Sequence, residues 1–301
     1  MVREHLGRQG WVFRMAQGIT VAVPSIRPRP SWGTLRAKGG YFKDVRLWPP
    51  DAVDPAGWLE NFNSDRFDDA DRQCALYLAN AFMFFSEELL DQLVLAAIHR
   101  LSSSRRLWSA ASWNGLLDGM GVSTVSATGN WGAGLPDRQY QLFQQGPVWL
   151  SGPEETGDRR TVVLIDDFVA LDDVEAERSS ELEKWVPYAS EITVVYCPCF
   201  VTTAALAALH SRYEGLEVGA AHVLPHQYSA WDERTIAWPV PKLELGYKFL
   251  KKAYLHSGCT EPSDRHCDTG YLIAAASGLP SALLEILRVN DSDWTPLVVE
   301  R

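Results

Sequence analysis

Four consecutive apolar residues, Val162 to Ile165, run without a polar break into two acids, Asp166 and Asp167. An uninterrupted run rich in β-branched residues predicts a strand buried on both faces, with the acids at its end. Further strands are predicted at Val122 to Ala127, Glu191 to Tyr196, Glu217 to Leu224 and Tyr271 to Ala276. Elsewhere the period lengthens. Between Trp58 and Ser102, Asp65 and Asp68 supply N-terminal acids, and Cys74, Leu76, Tyr77, Ala81, Phe84 and Phe85 recur at near-helical spacing. Ser86 followed by Glu87 and Glu88 restarts the pattern, so residues 65–101 read as a pair of helices. Val201 to His210 reads as another helix. Strands alternating with helices predict an α/β fold, a mainly parallel sheet with flanking helices.

The 301 residues, 46% hydrophobic and 22% charged, are enough for a large core. No apolar run approaches the ~20 residues that cross a bilayer, and the N-terminus lacks the apolar core of a secretory leader. The expectation is a cytoplasmic chain with no membrane partner. Five irregularly spaced cysteines argue for reduced thiols over a disulfide framework.

Charge changes the picture at the N-terminus. Residues 1–46 carry nine Lys or Arg against Glu4 and Asp44, a balance of +7. The chain totals −10, which leaves −17 on the rest. Within this segment Gly18 to Val23 reads as a short strand, ended by Pro24, Pro28 and Pro30. Residues 1–57 are therefore read as a basic arm and 58–301 as the α/β domain. Such an arm binds nucleic acid or an acidic protein partner, or it lies on its own acidic body.

The candidate chemistry gathers at strand ends, where ligands bind in open α/β sheets. Asp166 and Asp167 are placed to hold ribose hydroxyls or a metal ion; the bland alternative is a strand end with solvated acids. Gly129-Asn130-Trp131-Gly132-Ala133-Gly134 is a glycine-rich loop. Gly129, Asn130, Gly132 and Gly134 are its candidates for cradling a phosphate through backbone amides, although it fits no dinucleotide or P-loop fingerprint and an ordinary loop is the stronger reading. Cys197 and Cys199, and the set His256, Cys259, His266 and Cys267, do not follow a zinc-ligand spacing. No nucleophile elbow is present.

The stretch Val162-Val163-Leu164-Ile165-Asp166-Asp167-Phe168-Val169 resembles the apolar strand and acidic pair of phosphoribosyltransferases. The chain around it resembles the phosphoribosyltransferase-like family of bacterial conflict and anti-phage operons, some with retrons. Trp58-Leu59, Asn61-Phe62, Gly270-Tyr271-Leu272, Gly278-Leu279-Pro280-Ser281 and Trp294-Thr295-Pro296-Leu297 carry the likeness across 58–301. The resemblance implies a sheet that grips a nucleotide or sugar phosphate, with Asp166 and Asp167 on the ribose directly or through magnesium. Active members follow the pair with a small-residue loop holding Thr or Ser and Gly. Here stand Ala170-Leu171-Asp172-Asp173-Val174. Two carboxylates within ~4 Å of a phosphate cost on the order of a few kcal/mol each at an effective dielectric near ~20, unless a cation held by Asp166, Asp167, Asp172 and Asp173 intervenes. Two functions follow: a defence-system component that binds nucleotide or ribose phosphate, and a non-catalytic binding or regulatory subunit with a protein or nucleic-acid partner.

Overall fold

A computed structural model describes residues 31–38 in part, 52–104, 120–124, 148–158, 161–213, 216–260 and 269–299, with single omissions at 176, 277 and 292. Helices α1 (Pro55–Glu60), α2 (Asp69–Ala81) and α3 (Glu87–Ser104) precede the main sheet in the chain and α7 (Leu243–Ser257) follows it. Helices α4 (Leu171–Glu175), α5 (Glu177–Trp185) and α6 (Thr203–Arg212) alternate with its strands. The strands are β1 (Met83–Phe85), β2 (Met120–Thr124), β3 (Val148–Trp149), β4 (Thr161–Val169), β5 (Thr193–Thr202), β6 (Glu217–Val218), β7 (His222–Leu224) and β8 (Ile273–Ala275).

The main sheet has the order β3-β2-β4-β5-β6, with β7 also on β5, and every pairing is parallel. Parallel pairing needs crossovers, and helices α4–α5 and α6 supply them between β4, β5 and β6. The predicted α/β class is therefore the observed one.

Both sheet faces are covered, which is why the central strands read as unbroken apolar runs. Toward one face, Leu90, Val94 and Ile98 of α3 pack with Val163, Ile165, Val195 and Cys197. Toward the other, Val174, Leu182, Trp185, Ala205 and Leu209 pack with Val162, Leu164, Val194 and Tyr196. A third apolar cluster, outside the sheet, joins α1, α2 and α7 to Trp294, Leu297 and Val298. Its aromatic centre is Phe62, in ring contact with Trp58, Phe67, Phe249 and Trp294 at 4.8–5.4 Å.

Several predicted boundaries shift, each for a tertiary reason. The helical pair is interrupted by β1, because Phe82 leaves helical geometry (φ −59°, ψ 137°) and Met83–Phe85 pairs with Ile273–Ala275 in a separate two-stranded sheet. Of the strand predicted from Tyr271 to Ala276, Ile273–Ala275 thus joins β1 and stays out of the main sheet, while Tyr271 bridges Ser229 and Leu283. The helix predicted from Val201 begins at Thr203, since Val201 and Thr202 extend β5, and the Thr202 hydroxyl caps the helix by accepting from Ala205 N at 3.1 Å. The strand predicted from Glu217 to Leu224 is split in two. Pro198 explains the break: its carbonyl accepts from Ala221 N at 3.0 Å, so its amide-free nitrogen faces this edge, where no ladder bond can form.

The arm is not wholly apart from the body. Leu35 is buried in the helical cluster, and Lys38 Nζ donates to the carbonyls of Asn80 at 2.6 Å and Phe82 at 3.4 Å. Those carbonyls belong to the C-terminal end of α2, which has no basic residue of its own in its last turn, so Lys38 brings a cation to the negative end of that helix. The rest of the predicted arm, including Gly18 to Val23, lies outside the described residues. Among the described residues no helix is long and apolar enough to cross a membrane.

Candidate functional site

Asp166 and Asp167 lie within β4, which continues to Val169. On one side β4 pairs with β2 only as far as Thr124–Ile165; on the other it stays paired with β5 to Val169–Val201. The acids thus begin where the described pairing with β2 ends. This is also where the strand order turns back, with β3 on one side of β2 and β4 on the other. In open α/β sheets such a switch point opens the crevice that binds ligands.

The side chains are enclosed there: Asp166 is 0% and Asp167 2% exposed, so the alternative of solvated acids at a strand end is corrected. Both carboxylates are engaged locally. Asp166 Oδ1 accepts from Asp167 N at 2.8 Å, and Asp167 Oδ1 from Phe168 N at 2.7 Å. Asp166 Oδ2 accepts from the Tyr196 hydroxyl at 2.5 Å.

A reversal of the strands accompanies these bonds. Up to Ile165 the odd-numbered residues of β4 face α3 and the even-numbered ones face α5 and α6. Beyond the acids Phe168 faces α3 and Val169 the opposite side. The neighbouring strand does the same: Cys197, Cys199 and then Phe200 all pack on the α3 side, with Val201 opposite. Strict alternation has a period of two, so one local irregularity in each strand exchanges the faces of everything beyond it.

Burial of the thiol raises the pKa of Cys199, and Asp167, Asp166 and Asp91 of α3 raise it further. Asp91 is itself buried. Cys197 and Cys199, predicted at a strand end, sit mid-strand with both thiols at 0% exposure, and burial also raises the Cys197 pKa. His266 and Cys267 lie outside the described residues. Among those described, no group of three or more His, Cys, Asp or Glu is arranged to hold a metal ion. Each Asp166 oxygen accepts one protein hydrogen bond, from Asp167 N and from the Tyr196 hydroxyl.

The second acidic pair is not in a loop. Only Ala170 separates β4 from α4, and Asp172 and Asp173 fall in the first turn of that helix. Asp172 is exposed. Asp173 Oδ2 accepts from Ala170 N at 2.8 Å and Oδ1 from the Ser281 hydroxyl at 3.1 Å. An amide at the start of a helix is the kind of donor an anionic ligand would use, and here a carboxylate of the chain already takes it. The structure does not bring Asp172 and Asp173 into one cation site with Asp166 and Asp167.

The candidate phosphate loop, Gly129, Asn130, Gly132 and Gly134, lies outside the described residues. A cleft of about 280 Å³ is lined by Glu60, Asn61, Ser64, Arg66, Phe67, His256, Asp293 and Trp294. It lies in the helical part, and none of the four acids borders it.

Two residues of this region, Tyr196 and Asp91, carried no weight in the sequence. Tyr196 reads as one more member of a buried strand, and only register places its hydroxyl beside Asp166. Asp91 stands out in hindsight, since an acid between Leu90 and Leu93 interrupts an apolar helix face. Ser281 belongs to the Gly278-Leu279-Pro280-Ser281 segment, which the structure brings to the start of α4.

The comparisons with known proteins bear on the family more than on the chemistry. No curated protein matches the chain. Among solved structures it is similar to the AQ2163 protein from Aquifex aeolicus, at 15% identity over 55% of this chain and 83% of that one, with a TM-score of 0.29. The profile of the family described as PRTase-CE matches residues 55–299. That span runs from the first residue of α1 to the last described residue, and takes in both acidic pairs and the whole parallel sheet; the chain belongs to the PRTase-CE family of phosphoribosyltransferase-like proteins.

Proposed function

We propose that this chain is a phosphoribosyltransferase-like component of a bacterial defence system that works by binding a partner and does not transfer ribose phosphate. The observation that carries this reading is the closure of the acidic pair: Asp166 and Asp167 are buried and held by Tyr196 and by main-chain amides. A carboxylate that grips ribose hydroxyls must offer its oxygens to the ligand. The start of α4 supports the same reading, because Asp173 stands where a phosphate would need donors and no fixed negative charge. The defence setting is supported by the resemblance to conflict-system proteins. The partner, protein or nucleic acid, is assigned to the basic arm on the strength of its charge.

A second reading keeps the ligand. The acids lie at the switch point of a parallel sheet, the usual position of a nucleotide or sugar-phosphate site, and this favours a bound state in which the pair turns outward.

One pair of measurements separates the two. Phosphoribosyl diphosphate with magnesium and a panel of free bases is expected to release no pyrophosphate, and calorimetry with ribose 5-phosphate, nucleotides and magnesium is expected to show no heat of binding. Binding that disappears in an Asp166→Asn, Asp167→Asn double variant would establish the second reading; steady turnover would end the first.

A further inference from the structure

We infer that Asp166 and Tyr196 form a structural lock, in which the first acid of the phosphoribosyltransferase-like pair serves the fold and Tyr196 is the residue that gives it that role. The inference deepens the proposed closure of the acidic pair and rests on it. It assigns a function to Tyr196 and reassigns Asp166.

The geometry begins with register. Asp166 is paired with Pro198 and Tyr196 with Leu164, so the two residues are diagonal neighbours on adjacent central strands. Diagonal neighbours stand ~7–8 Å apart at the backbone, a gap that a long aromatic side chain can span. Tyr196 packs with Val162, Leu164 and Trp185 on the α5–α6 face, and it is 0% exposed, as is Asp166. An ionised carboxylate at such depth is costly unless its oxygens find donors. Tyr196 supplies a hydroxyl at 2.5 Å, within the range of a charge-assisted O–H to O⁻ bond, and the amide of Asp167 supplies the other donor at 2.8 Å.

The bond also sits where both strands change face. Tyr196 is on the regular side of the irregularity in β5, and Asp166 starts the irregularity in β4. Tying one to the other fixes where the alternation breaks, and so decides that Phe168 and Phe200 meet Tyr271 and Phe85 on the α3 side.

The test is a double-mutant cycle by urea unfolding on the full chain, with Tyr196→Phe, Asp166→Ala and the double variant. The lock predicts that each single change lowers the midpoint by about 1 M, and that the double variant is no worse than either single one, because the orphaned group is removed with its partner. If Tyr196→Phe fails to fold, recovery of folded protein in the double variant supports the lock, and failure of both overturns it. Strictly additive losses, or an Asp166→Ala midpoint equal to that of the wild type, also overturn it. Calorimetry with ribose 5-phosphate and magnesium on the same variants keeps the two readings apart. A coupled cycle together with ligand binding retained in the wild type leaves the lock standing and removes the closed-crevice function. Additive losses with no ligand binding do the reverse.

Discussion

Two Asp-Asp dipeptides lie six residues apart, and they meet opposite ends. The first, Asp166-Asp167, is enclosed in a central strand, with its oxygens on a phenol and on main-chain amides. The second, Asp172-Asp173, opens a short helix, with one carboxylate exposed and the other capping the turn. The chemical groups are identical. What differs is the element each dipeptide falls in: a strand covered on both faces leaves a carboxylate no solvent, whereas a helix start offers it unpaired amides and a favourable dipole. Adjacent acids thus mark a site only when the fold leaves them a way out.

This contrast can be broken most sharply by asking whether the first pair is closed in solution. Cys199 lies beside it, and burial, followed by Asp167, Asp166 and Asp91, pushes its thiol well above the usual range. Cys199 is expected to react with a thiol reagent at least ~10³-fold more slowly than a free cysteine, since labelling needs an opening of several kcal/mol. Mass-spectrometric mapping of the labelled peptide reads this directly. Rapid labelling of Cys199 would mean that the crevice is open.

Stability separates the pairs next. Asp166→Ala strands the Tyr196 hydroxyl in the core and should cost about 2–3 kcal/mol, whereas Asp172→Ala, at an exposed position, should cost well under half of that. Equal effects at the two positions would erase the comparison. Within the second pair the difference is smaller: Asp173→Ala removes a helix-start acceptor and should cost about 1 kcal/mol, with most of it restored in Asp173→Asn. The smallest effect is expected for Ser281→Ala, about 0.5 kcal/mol, because Asp173 keeps its bond to Ala170 N when the hydroxyl is lost.

The basic arm needs a comparison of its own. Deleting residues 1–46 should lower the unfolding midpoint, since Leu35 is buried and Lys38 reaches the end of α2. If nucleic acid is the partner, filter binding of the full chain should weaken steeply between two salt concentrations, as counterions are released from each neutralised phosphate.

Hydrophobic pattern alone determined much of this protein. The runs at 162–165 and 191–196, the helical periodicity from Asp68 and again after Ser86, and the alternation of strand and helix lead to a parallel sheet with covered faces. These are local signals, carried by burial and capping, and each is readable from residues close in the chain. The candidate site was legible in position but not in state. That Asp166 and Asp167 stand beside the switch point follows from the apolar run before them. That they are buried depends on Tyr196, thirty residues on, and on a reversal of facing that β4 and β5 make together.

The other surprises share this origin. Met83–Phe85 carries a helical pattern yet becomes a strand, because Ile273–Ala275 arrives to pair with it. Ser281 reaches Asp173 across 108 residues, and Pro198 breaks an edge strand to which it has no sequence proximity. Propensity and period act over a few residues, and they decide which elements form. Register, diagonal neighbours and the covering of a face exist only once distant strands are side by side, and those relations turned an acidic pair with the look of a ligand site into part of the core.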